Sequence, residues 1–112
     1  MKLVIATIRV FKLEDVQAAL AKIGITWFNV IEAKRSGPHK GPAILQRGAE
    51  YSTSLVPKVK VELVVSDSAL DEVVDTIARS ARTNEPGDGE IIVTPVDLRM
   101  GIHTGKTYFK TQ

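Results

Sequence analysis

The sequence predicts an α+β sandwich of four strands and two helices, and three observations carry that prediction. Four stretches are rich in β-branched and aliphatic residues or alternate apolar with polar, two intervening stretches space their apolar residues by three or four, and one long glycine- and proline-containing segment divides the chain in the middle. The resulting order is strand, helix, strand, loop, strand, helix, strand. With 112 residues, 44% of them apolar and 25% charged, the chain suffices for one core in a single domain.

Lys2 to Val10 has the composition of a buried strand. After Phe11 the period changes: Leu13, Val16, Leu20 and Ile23 fall on one helical face, Glu14 and Asp15 suit the positive end of the helix dipole, and Gly24 stops it. Ile25 to Lys34 reads as a second strand carrying the single tryptophan, Trp27, beside Phe28.

Residues 35–56 hold Ser36, Gly37, Pro38, Gly41, Pro42 and Gly48 without sustained periodicity, so they predict a long loop; loops of that length in compact domains are usually functional or disordered. Its first half is basic, with Lys34, Arg35, Lys40 and Arg47 and no acid between Ala33 and Ala49. Val59, Val61, Leu63 and Val65 then alternate with Lys58, Lys60 and Glu62, a strand with one buried face. Ser68 and Asp71 predict a helix start, and Leu70, Val73, Val74, Ile77 and Ala81 form its apolar stripe. Asn84, Pro86, Gly87 and Gly89 make a turn before a last strand, Glu90 to Val96, and the tail over 99–112 has no clear pattern. Two βαβ halves in this order predict a split, ferredoxin-like βαββαβ sandwich with both helices on one sheet face. The other face is left open, and oligomerisation is the simple expectation.

The absence of cysteine excludes a zinc ribbon, an iron-sulfur site, a thiol nucleophile and a disulfide framework. A net charge of +2 is too slight for the whole chain to attract nucleic acid or membrane, and the absence of paired aromatics on the middle strands weighs further against an RNA-binding module. The apolar run Leu3 to Ile8 is too short for a signal peptide or a spanning helix, so a cytoplasmic location is expected. The two histidines, His39 and His103, assemble no local catalytic triad, and Asp71 with Asp75 reads as a solvated helix face. No catalysis is expected. The Gly87-Asp88-Gly89 turn is the best local signal: two glycines let backbone amides approach a ligand, although a tight helix-to-strand turn explains them equally well.

Together these residues resemble the PII signal-transduction proteins over nearly the whole chain. The resemblance rests on Phe11-Lys12-Leu13 with Asp15-Val16, on Arg47-Gly48-Ala49-Glu50-Tyr51 in the loop, on Pro57-Lys58-Val59-Lys60-Val61-Glu62, and on Ala81-Arg82-Thr83 leading into Gly87-Asp88-Gly89. It implies a non-enzymatic homotrimer whose inter-subunit clefts bind an adenine nucleotide, with the long loop engaging a target such as a membrane transporter or a metabolic enzyme. It implies nucleotide contacts at Gly37, Val64, Gly87, Asp88 and Gly89, effector contacts at Lys40, Gly41 and Lys58, and a modification site at Tyr51.

The departures from the family pattern cluster on the chemistry. Glu90, Gly101 and His103 stand where the family typically has Lys, Arg and Arg around the phosphates, a change of about four charge units. Pro38 and His39 replace an Arg and a Gln at the loop base, while Thr7, Asn29 and Arg35 alter the usual Ile, Thr and Gly near the nucleotide. A charge-assisted hydrogen bond contributes about 1.5 to 3 kcal/mol, so the triphosphate is expected to lose its advantage, leaving ADP, AMP or weakly bound ATP. The missing Gln weighs against coupled magnesium and 2-oxoglutarate binding. An alternative is a trimeric relative that binds a metal or small anion and senses no nucleotide; His39, Glu90 and His103 are the residues that would hold such a metal.

Overall fold

In a computed structural model, residues 1–36 and 55–109 are described. Strand β1 (Lys2–Arg9) passes through a short 3-10 turn into helix α1 (Leu13–Lys22); β2 (Asn29–Ser36) follows, then β3 (Leu55–Val65), a second 3-10 turn, helix α2 (Leu70–Ala81) and β4 (Gly89–Pro95). These four strands form one antiparallel sheet in the order β2-β3-β1-β4. That is the expected βαββαβ arrangement. Two further strands, β5 (Leu98–Met100) and β6 (Thr107–Phe109), make a small separate hairpin where no pattern was expected.

The core lies between the helices and one sheet face. Alternation places Val4, Ala6 and Ile8 of β1 and Val59, Val61, Leu63 and Val65 of β3 on that face, where all seven are buried. They meet Val16 and Leu20 of α1 and Val73, Ile77 and Ala81 of α2, so both predicted helical stripes face the core. Two residues beyond the end of α1 the chain turns at Gly24, whose φ of +86° a side chain would resist.

Three boundaries and one burial differ from expectation. The second strand begins at Asn29, not Ile25, so Trp27 precedes the sheet and stands exposed in a connecting segment. At the loop base the strands run further than periodicity suggested, because Arg35 pairs with Val56 and Ser36 with Leu55. Ser66 caps the 3-10 turn that leads into α2, its Oγ accepting from Ala69 N at 3.3 Å, while Ser68 Oγ only meets Ser66 Oγ and α2 itself, starting after Ala69, has no side-chain cap. Lys58, assigned by alternation to the polar face, is 6% exposed.

On the sheet face away from the helices, Leu3 and Ile5 of β1 lie beside Val64 of β3 and Ile92 of β4. Val64 and Ile92 are exposed in the single chain.

Candidate functional site

The candidate site forms where the start of β4 meets the end of β1 and the last turn of α2. The turn between α2 and β4 is organised by one carboxylate. Asp88 accepts hydrogen bonds from the backbone N–H groups of Thr83 at 2.7 Å, Asn84 at 2.9 Å and Glu85 at 3.4 Å, and from the Thr83 hydroxyl. Arg9 Nε adds a charged donor at 3.0 Å, and its Nη2 reaches Pro86 O at 3.0 Å. These donors, led by the Thr83 hydroxyl, hold the Asp88 carboxyl far below its ordinary 3.8. The turn is thus held by its own backbone and Thr83 together with Arg9 of β1.

Gly89 is needed for packing as well as turning. A Cβ there would lie 1.8 Å from Thr7 O, and φ is +114°, so only glycine lets β4 close against β1. Lys58, on β3 between Arg9 of β1 and Ala33 of β2, threads its side chain to the same turn and donates from Nζ to Gly87 O at 2.5 Å. Burial first, then the positive charges of Arg9 and Arg35, lowers the Lys58 pKa, with Asp88 opposing them. Arg35 Nη2 donates to Glu90 Oε2 at 2.7 Å, joining the end of β2 to the first residues of β4.

A cleft of about 160 Å³ lies against this turn, lined by Thr7 and Ile8 of β1, Ala78, Ala81 and Arg82 of α2's end, and Asp88, Gly89 and Glu90. Asp88 and Gly89 thus line one cleft, and Gly87 and Lys58 lie immediately beside it. Val64 lies elsewhere: six residues along β3 from Lys58, or about 20 Å at strand rise, it borders a second cavity with Trp27. Gly37, Lys40, Gly41 and Tyr51 lie outside the described residues, as does His39. His103 is exposed in the β5–β6 hairpin, and among the described residues no group of three His, Asp or Glu side chains is placed to hold a metal ion.

The sequence assigns no site role to Arg9 or Thr83 and does not pair Arg35 with Glu90. Arg9, Thr83 and the Arg35–Glu90 contact become legible only from the ladder register, which pairs Ile8 with Gly89 and Thr7 with Glu90 and so brings the ends of β1, β2 and β4 together. Among the described residues no helix is long and apolar enough to cross a membrane.

Residues 1–106 match the family described as nitrogen regulatory protein P-II. The chain is 47% identical over 106 residues to nitrogen regulatory protein GlnK of Escherichia coli K12, and 49% identical over 106 residues to nitrogen regulatory protein P-II of Klebsiella oxytoca and to nitrogen regulatory protein P-II 1 of Escherichia coli K12. Each match covers 95% of both chains. With a fold, a preset turn and a loop base in the expected order, the chain belongs to the nitrogen regulatory protein P-II family.

Proposed function

We propose that this P-II regulator acts as a homotrimer that binds ADP or AMP in clefts between subunits, and ATP only weakly, and that nucleotide occupancy sets the conformation of the loop that engages a target protein. The observation that carries this reading is the shared anchoring of the turn and the loop base. Lys58 holds the carbonyl of Gly87, and Arg35, one residue before the end of β2, holds Glu90 beside Gly89. A ligand phosphate arriving at that turn would compete for the same cations that fix the loop base. The binding difference between two loop arrangements is what makes a switch.

The separation of Val64 from Asp88 within one chain supports a cleft shared by two copies, since one copy can bring Val64 to the turn of the next. The open face with Leu3, Ile5, Val64 and Ile92 supplies apolar surface for that association. Glu90 supports the nucleotide preference, because a carboxylate in the cleft repels a third phosphate. Target proteins in this reading are a transporter or an enzyme of nitrogen or carbon metabolism, met by the loop and its basic residues Lys40 and Arg47.

Calorimetric titration of the purified protein with ATP, ADP and AMP, alongside native mass spectrometry, tests the reading. The expected result is a trimer binding ADP or AMP at least as tightly as ATP. A 12 kDa monomer, or submicromolar ATP binding with much weaker ADP, would overturn it.

A further inference from the structure

Strand β2 overhangs the layer of helices. Its residues Val30 and Glu32 pair with Val61 and Val59 of β3, and direct ladder partners send their side chains to the same face. Val59 and Val61 are buried there in the core, yet Val30 is 44% exposed, and Glu32 and Lys34 are exposed as well. The helices therefore cover β3 and stop short of β2. Beneath the overhang lies a cavity of about 500 Å³, lined by Glu32 and Lys34 of β2, by Pro57, Lys58 and Val59 of β3, and by Val10 of the 3-10 turn after β1. Its size falls within the roughly 300 to 1,000 Å³ of small-molecule sites. Of the residues that hold the Asp88 turn, only Lys58 lines it.

The lining has two characters. Val10, 49% exposed, Pro57 and Val59 offer apolar surface, of which Val10 and Pro57 leave much in water. Glu32 and Lys34 add an acid and a base two residues apart on one face of one strand, with about 7 Å between their Cα atoms. Among the described residues neither makes an ion pair, with the other or with a third group. Two opposite charges held apart beside apolar surface match a ligand that carries both charges and an apolar group. Ion pairs at so exposed a place contribute little by themselves, so affinity requires the apolar walls too. Once those walls are covered, the charges lose part of their water and attract more strongly. The inner residues of a bound peptide would bring neither charge, and a zwitterion without a side chain would leave Val10 and Pro57 wet.

We propose that this trough is a binding site for a free aliphatic α-amino acid, with its ammonium group on Glu32, its carboxylate on Lys34 and its side chain against Val10, Pro57 and Val59. The site lies at the root of the long connection between β2 and β3: Ser36, which ends β2, is two residues beyond Lys34, and Leu55, which opens β3, is two residues before Pro57. An occupant thus bridges the two strands from which that connection leaves. Nothing in the proposal requires a nucleotide.

Nitrogen-15-labelled wild-type protein is titrated with leucine, with glycine, with isocaproate, which lacks the ammonium group, and with isoamylamine, which lacks the carboxylate, while amide shifts and calorimetric heats are recorded. Leucine is expected to shift the amides of Lys34 and Val59 and to bind at least about tenfold more tightly than each of the other three. Glu32→Gln and Lys34→Met should each weaken leucine binding by about tenfold, with thermal midpoints unchanged because both side chains are exposed. The proposal is overturned if millimolar leucine leaves those amides unmoved, if isocaproate or isoamylamine binds as well as leucine, or if both variants bind leucine as the wild type does. Shifts of the same amides on raising the protein concentration alone would mean that a second copy fills the trough, and overturn it too. All titrations are made without nucleotide, so their outcome and that of the nucleotide titration are decided separately.

Discussion

Arg35 Nη2 lies 2.7 Å from Oε2 of Glu90, a residue that lines the cleft. Each departs from the residue that the family resemblance led one to expect, and the two departures meet. An acid at the start of β4 and a base at the end of β2 neutralise one another. Both side chains are about half exposed, at 41% and 48%, so the pair itself contributes no more than about 1 kcal/mol to folding. In the proposed reading, its effect is on which charges a nucleotide meets.

Glu90→Lys should therefore raise ATP affinity by about tenfold to a hundredfold, since it removes a repelling carboxylate, adds a cation and frees Arg35 for a phosphate. Arg35→Ala should act in the opposite direction, because it leaves Glu90 unpaired in the cleft. Calorimetry on both variants reads the difference, and thermal midpoints close to wild type would show that the fold is untouched. Equal ATP affinity in all three proteins would separate this pair from nucleotide binding.

Asp88 predicts a pH dependence whose sign follows from its depressed pKa. The unfolded chain binds this proton near the ordinary 3.8 and the folded chain far below it, so stability is fully present above about pH 5 and is lost as pH falls from there towards the folded value. Asp88→Asn retains an acceptor but no charge for Arg9. Its thermal midpoint should be lower than wild type at pH 7, and the gap should narrow as pH approaches 3. A gap that stays constant across that range would mean that the carboxylate charge contributes nothing to holding the turn.

Gly89 separates two readings of the glycine turn that sequence left equal. Its absent side chain admits Thr7 O, and a Cβ at 1.8 Å cannot be accommodated without moving β1 or β4. Gly89→Ala is expected to destabilise the protein by several kcal/mol, more than the roughly 1 to 3 kcal/mol that a strained backbone conformation alone costs. Urea unfolding measures it. A loss below about 1 kcal/mol would show that the β1–β4 contact yields easily.

How far the sequence was legible depended on the length of each signal. The stripes Val16–Leu20 and Val73–Ile77–Ala81 repeat over several turns, and the alternation from Val59 to Val65 covers four buried positions, so each identified its own buried face. The β5–β6 strands are three residues each, too short for alternation to show. Ile25 to Phe28 is as apolar as a strand, yet it peels from β3 and its backbone joins no ladder, a distinction that composition does not encode. Lys58 misled by its charge: its aliphatic stem is buried while its tip reaches a carbonyl, as long cationic side chains often do. Gly87, Asp88 and Gly89 were found as a motif, but that Asp88 gathers the amides of the turn, and that Arg9 completes it, needed the register of β1 against β4.

The open sheet face leads to a prediction that joins assembly to binding. Ile5 and Ile92 are direct partners across the β1–β4 ladder, so their side chains share one face, and Ile92 is 49% exposed in the single chain. A glutamate at position 92 would place a charge beside Ile5, in surface that must lose its water when copies associate. In the single chain the same glutamate remains solvated and touches no core residue. Ile92→Glu should therefore sediment as a monomer while keeping the circular dichroism of a folded α+β protein. If the nucleotide cleft is completed by two copies, the same substitution abolishes AMP binding, although Ile92 lines neither cavity of the candidate site. A monomer that still binds AMP with wild-type affinity would place the whole nucleotide site within one chain, and Val64 and Asp88 would then belong to different functions.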